Sequence, residues 1–87
     1  MSTPGDRAAA DAGPRLGFYE AKHAADAMRR LREAQKLSQR DLAVMLGKTA
    51  SWVSFRETGA TRLREGDAAE VAAALGTSLA GLIGGAP

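Results

Sequence analysis

The side chains able to do chemistry in this sequence are few in kind. There is one histidine, His23, and no cysteine in 87 residues. The acidic residues form no cluster. Nothing is on hand to build a general acid–base pair, a thiolate nucleophile or a metal-ligand set. No enzyme activity, cofactor or metal is therefore expected, and His23 reads as a solvent-facing helix residue. What the chain does carry is concentrated positive charge. Residues 29–64 hold nine basic side chains (Arg29, Arg30, Arg32, Lys36, Arg40, Lys48, Arg56, Arg62, Arg64) against three acidic ones, a local net of +6. Residues 1–28 net −1 and residues 65–87 net −3, so the overall +2 conceals the asymmetry. Such a block is the footprint of a phosphate-binding surface. A solvated charged face has the same composition, and charge alone leaves both readings open.

The elements that must position these groups centre on Leu37 to Gly59, LSQRDLAVMLGKTASWVSFRETG. Ser38 is a helix N-cap, with Asp41 three residues on as its capping-box partner, a weaker one than Glu or Gln. Leu37 and Leu42 are spaced as a hydrophobic staple. Leu42, Ala43 and Leu46 supply an apolar face, and Gly47 stands where that helix must stop in a left-handed conformation. Thr49 can cap a second helix, in which Val53 is best placed to bury, and Gly59 ends it. Two short helices joined by a three-residue turn are a helix-turn-helix pattern.

The remainder reads as helical support. Residues 1–17 mix Pro, Gly, Ser and Asp without an apolar period and are expected to form a flexible arm. From about Tyr19 a stripe of Ala21, Ala24, Met28, Leu31 and Ala34/Gln35 predicts the first helix, with Phe18 and Tyr19 expected to tuck onto the core. After Gly59, local rules favour Asp67 as N-cap with Glu70 as partner, and a helix over 68–75 following a frayed turn at 64–67. Gly66 supports that later start. Gly76 ends this helix, Ser78 caps a last one through Ile83, and residues 85–87 fray. Of the apolar residues, which make up 45% of the chain, 19 are alanine, which favours helix but leaves few large core formers. Self-association is one usual remedy for so thin a core. No apolar run approaches the length of a membrane span, and the N-terminus lacks a secretory segment, so an all-α cytoplasmic protein is expected.

In register over Ala25 to Gly84, the chain resembles the Cro/repressor-type (XRE-like) helix-turn-helix of bacteria and their phages. The matching residues are LRE at 31–33, LSQRDLA at 37–43, Leu46 with Gly47, the serine-rich start of the second helix, Glu57, Gly59, and Leu75, Gly76, Leu79 and Leu82. The resemblance implies a compact five-helix domain over 18–84, with a helix starting near Arg64 or Glu65, earlier than local rules favour. It also implies double-stranded DNA as partner, with the 50–57 helix in the major groove. Thr49, Ala50, Ser51, Ser54 and Phe55 would then face base edges, and Gln39, Thr61, Arg62 and Arg64 would contact phosphates, with Arg40, Lys48 and Trp52 as further candidates. Trp52 could equally pack against the first helix or the turn. Arg32 and Glu57 occupy the positions of a partly buried ion pair. Relatives usually bind as two-fold dimers, which makes Leu75, Leu79, Leu82 and Ile83 the dimer candidates.

Three residues depart from that pattern. Ala50 and Phe55 cannot hydrogen-bond a base but can pack on a thymine methyl. Arg56 replaces an apolar residue, so either the helix turns to bury Phe55 or Arg56 lies over Trp52 one turn back. The resulting expectation is a stand-alone transcriptional regulator, a repressor that binds a pseudopalindromic operator as a homodimer. The alternative is a protein-binding module, such as an antitoxin that neutralises a partner protein and binds DNA for autoregulation.

Overall fold

The computed structural model describes residues 12–84 and contains five helices: α1 (Phe18–Ala34), α2 (Gln39–Leu46), α3 (Ala50–Thr58), α4 (Glu65–Ala74) and α5 (Leu79–Ile83). The expectations for the first eleven and last three residues lie outside the described part. Among the described residues the one extended pairing is a single antiparallel bridge between Arg15 and Arg64. The architecture is all-α.

Short-range chemistry explains most helix ends. The Ser38 hydroxyl accepts the Asp41 N–H at 2.9 Å, and the Asp41 carboxylate accepts the Ser38 N–H at 2.9 Å, a reciprocal capping box. Gly47, at φ 68°, ends α2 in the left-handed region, and the Lys48 N–H then reaches the Ala43 carbonyl at 2.9 Å. The Thr49 hydroxyl caps α3 by accepting the Trp52 N–H at 3.0 Å. Ser78 caps α5 in the same way through the Gly81 N–H at 2.9 Å.

Helix α1 supplies one wall of the core through Met28 and through Ala21, Ala24 and Ala27, whose short side chains let α3 and α5 close against it. Met28, Leu42, Val53, Leu63, Val71 and Leu82 are the largest fully buried side chains, at least one from every helix. Val53 and Leu42 belong to the same buried cluster, where α2 and α3 pack against each other.

Four expectations are corrected. First, α4 starts at Glu65, three residues earlier than local rules favour, and Asp67 is a buried helix residue instead of a cap. The cause is distant in sequence: the Pro14 carbonyl accepts the Glu65 N–H at 2.9 Å and the Ala12 carbonyl accepts the Gly66 N–H at 2.7 Å. Backbone from the N-terminal segment thus satisfies the orphan donors that a side-chain cap would have taken. Second, residues 12–17 are accordingly not a loose arm. Leu16 is buried in the core, and its N–H donates to the Leu63 carbonyl at 2.8 Å.

Third, Phe18 and Tyr19 do not tuck in; they are 67% and 74% exposed and pack edge to face on each other at 5.3 Å. Leu16, arriving from the preceding segment, is the apolar side chain that enters the core at this end of α1. Fourth, Leu75 and Leu82 cannot serve a dimer interface, because both are sealed inside the monomer where α5 packs against α1 and α4. Their helical period points inward, leaving Leu79 exposed and Ile83 half-buried on that flank.

Candidate nucleic-acid interface

The face that α3 turns outward begins at its N-terminus. Thr49, Ala50, Ser51 and Phe55 are exposed and Ser54 is half-buried, whereas Val53 between them is fully buried. One buried residue fixes the rotation of the helix and so decides which five point to solvent. Phe55 stays 51% exposed, so α3 has not turned to bury it. Arg56 lies over Trp52 instead, its guanidinium carbon 4.4 Å from the ring centroid. Lys48 approaches the same ring at 5.4 Å, and Trp52 is half-buried against the core. The indole is therefore flanked by two cations. Burial pulls the Arg56 guanidinium below its usual range; Asp67 opposes that shift, and the charges of Arg15 and Arg64 add to it. The Arg56 Nε is buried without a hydrogen-bond partner.

Behind this face, Arg32 and Glu57 tie α1 to the end of α3. The Arg32 Nε and a terminal nitrogen donate to the two Glu57 oxygens at 2.7 and 2.9 Å, with the side chains 10% and 3% exposed. A second terminal nitrogen of Arg32 donates to the Leu37 carbonyl at 2.8 Å. The hydrogen bonds to Glu57 hold the Arg32 guanidinium above its ordinary range, against the opposing effect of burial. Geometry of this kind, two-pronged and with a further donor held by a backbone carbonyl, is what a buried ion pair needs to offset desolvation.

Gln39 departs from expectation. Its side-chain amide donates to Glu57 at 3.1 Å, so it is joined to the ion pair and not held free for a phosphate. Its backbone N–H, in the first turn of α2, has no helical partner and remains available. Arg40 is exposed and Lys48 half-buried.

The remaining candidates sit in the loop after α3. Thr61 is anchored by its N–H to the Phe55 carbonyl at 3.1 Å. Arg62 donates to the Leu16 carbonyl at 3.2 Å and Arg64 to the Gly13 carbonyl at 2.9 Å. Arg15, not among the expected phosphate contacts, donates to the Arg62 carbonyl at 2.8 Å and joins the same cluster. No local signal could have placed it there, because its partners lie far along the chain. Exposed Val44 and Met45 on α2 were likewise unforeseen. Among the described residues no three or more His, Cys, Asp or Glu side chains come together to hold a metal ion, and no helix is long and apolar enough to cross a membrane.

A short capped helix, a glycine turn, and a second helix with its N-terminal side chains open to solvent define a helix-turn-helix protein. The chain belongs to the helix-turn-helix family of Cro/repressor (XRE) type, whose profile matches residues 28–82. Its fold is similar to that of the P22 c2 repressor protein, solved in complex with a synthetic operator, at a TM-score of 0.67 and 24% identity over 72% of this chain and 96% of that one. It is also similar to hydroxypropylphosphonic acid epoxidase from S. wedmorenis, at a TM-score of 0.65 and 26% identity over 77% of this chain. The FeII form of HppE with substrate gives a TM-score of 0.64 and 29% identity over 72% of this chain. In both of these the chain spans only 36% of the matched protein's length. No curated protein matches the sequence.

Proposed function

We propose that the protein is a DNA-binding transcription regulator that represses from a two-fold operator as a homodimer, with α3 in the major groove. The observation that carries this reading is the open N-terminal face of α3, held in rotation by buried Val53 and preceded by Lys48, whose ammonium lies over Trp52. A helix entering the major groove by its N-terminal end brings the side chains of its first turns to base edges. Thr49, Ser51 and Ser54 offer hydroxyls there. Ala50 and Phe55 offer only apolar contact, which suits thymine methyls. Readout is thus weighted toward thymine contacts, hydroxyl hydrogen bonds and DNA shape.

Phosphate contacts are assigned to the Gln39 backbone N–H at the start of α2 and to Arg40, Lys48, Thr61, Arg62 and Arg64. Trp52, clasped between cations and half-buried, serves chiefly to support this edge. With Leu75 and Leu82 committed to the core, Leu79 and Ile83 are what remains of the expected dimer contact. Selection from random duplexes, read by sequencing, tests the whole. A two-fold motif with thymines at the contacted positions is expected, together with a log–log salt slope of about −5 to −7 for roughly 6–8 phosphate contacts. A slope near zero would eliminate duplex DNA as the partner.

The exposed Phe18–Tyr19 pair favours a second reading, a protein-binding module of antitoxin type. Co-purification of one unrelated protein through that pair, with no shift of the DNA around its own gene, would support it.

A further inference from the structure

We propose that residues 12–16 form part of the DNA-backbone surface, with Arg15 a phosphate contact and Gly66 the residue whose missing side chain lets this segment dock. The proposal rests on the DNA-binding reading above and extends it to a stretch outside the family match at residues 28–82.

The first observation is how the segment is held. Three arginines lace it to the loop before α4, each through a backbone carbonyl: Arg15 to Arg62, Arg62 to Leu16, and Arg64 to Gly13, at 2.8, 3.2 and 2.9 Å. A carbonyl accepts a hydrogen bond without cancelling charge. The ion pairs among the described residues are Arg29–Glu33, Arg30–Asp26 and Arg32–Glu57, and none engages this cluster. A guanidinium has five N–H donors in a planar fork. Toward the described residues, each of these three therefore keeps its full charge and most of its donors while its position is fixed. The Arg56 guanidinium is pulled below its usual range first by its own burial; Asp67 opposes that shift, and the nearby charges of Arg15 and Arg64 each add a smaller push in the same direction as burial. Preorganised, mutually repelling cations gain most from a closely spaced polyanion, and a duplex backbone supplies successive phosphates.

The second observation is the fit at Gly66. A Cβ built there would fall 2.8 Å from the Ala12 Cα and 2.9 Å from its carbonyl oxygen, backbone atoms that cannot move aside cheaply. Glycine inside the first turn of a helix is unfavourable by itself. Its presence at this point permits the approach that lets the Ala12 and Pro14 carbonyls cap α4 and Leu16 enter the core. Any other residue would push the segment away and carry Arg15 with it.

The test uses the full chain and a fluorescently labelled duplex of random sequence, followed by anisotropy through a salt titration. Arg15→Gln should keep the wild-type melting curve but flatten the log–log slope by about 0.9 for each copy of the chain on the duplex. Arg15→Lys, which keeps the charge, should restore it. Gly66→Ala should open the Arg15–Leu16 bond to trypsin and flatten the slope by the same amount, with Arg15→Gln adding nothing further in that background. A steep wild-type slope left unchanged by Arg15→Gln overturns this inference and leaves DNA binding standing. A flat wild-type slope removes DNA binding and the inference together. Continued trypsin resistance in Gly66→Ala overturns the role given to Gly66.

Discussion

The guanidinium of Arg56 rests 4.4 Å from the centre of the Trp52 ring, one turn away on α3, with its Nε buried and unpaired. Two opposed effects meet in this contact. The cation gains from the ring face, by roughly 0.5–2 kcal/mol depending on desolvation, and the unpaired N–H costs about 1–3 kcal/mol. Arg56→Met keeps an apolar stem over the indole and removes the orphan donor, so its melting temperature should equal or exceed that of the wild type. Arg56→Ala removes the stem as well and should melt lower, with Trp52 emission shifted to the red. A lower melting temperature for Arg56→Met would mean that the charge itself stabilises the contact.

Breaking the Arg32–Glu57 pair should be expensive. Glu57→Ala leaves a 10%-exposed guanidinium without its counter-ion and deprives the Gln39 amide of its acceptor. A loss of about 3–5 kcal/mol is expected, read by denaturant or thermal unfolding. Glu57→Gln, which keeps one acceptor oxygen, should lose less. No loss in Glu57→Ala would show that the pair is not a structural requirement.

Acid should weaken the start of α2. The Ser38 backbone N–H, then the Ser38 hydroxyl, hold the Asp41 carboxyl below its ordinary range. A depressed folded-state value means the stabilisation is present above the unfolded-state value and fades as pH falls through the folded-state one. The stability gap between wild type and Asp41→Asn should therefore be steady near neutrality and shrink as the solution passes below the usual carboxylate range. Unfolding curves over a pH series would measure it, and a gap that widens on acidification would contradict the assignment.

The two leucines of α5 should behave oppositely. Leu82→Ala opens a cavity in the monomer core and should cost about 2–5 kcal/mol at any protein concentration. Leu79→Glu should leave the melting curve of the dilute protein nearly unchanged, because Leu79 is 36% exposed, while weakening any dimer seen by sedimentation. Equal losses from both would indicate that Leu79 is also part of the core.

The sequence by itself determined the helix-turn-helix. Ser38, Gly47 and Thr49 act through hydrogen bonds that span at most five residues, so their consequences follow from spacing alone. The position of Val53 four residues past the Thr49 cap likewise settled which side of α3 faces outward, because a helix has a fixed period. Resemblance, not spacing, put Arg32 opposite Glu57, and the fold brings the two together.

Tertiary structure decided what depended on partners far along the chain. Asp67 followed by Glu70 is a sound local cap, yet carbonyls of Ala12 and Pro14 reached the helix first and moved its start to Glu65. Gln39 read as a free amide until Glu57, 18 residues later, took its donor. Leu75 and Leu82 carry the same apolar label as an interface residue, and only the packing of α5 on α1 and α4 buried them. Arg15 looked like one charge in a polar tail; docking made it the neighbour of Arg62 and Arg64. In each case a hydrogen bond or a burial was contested by two partners, and the three-dimensional path of the chain, which no local pattern encodes, chose between them.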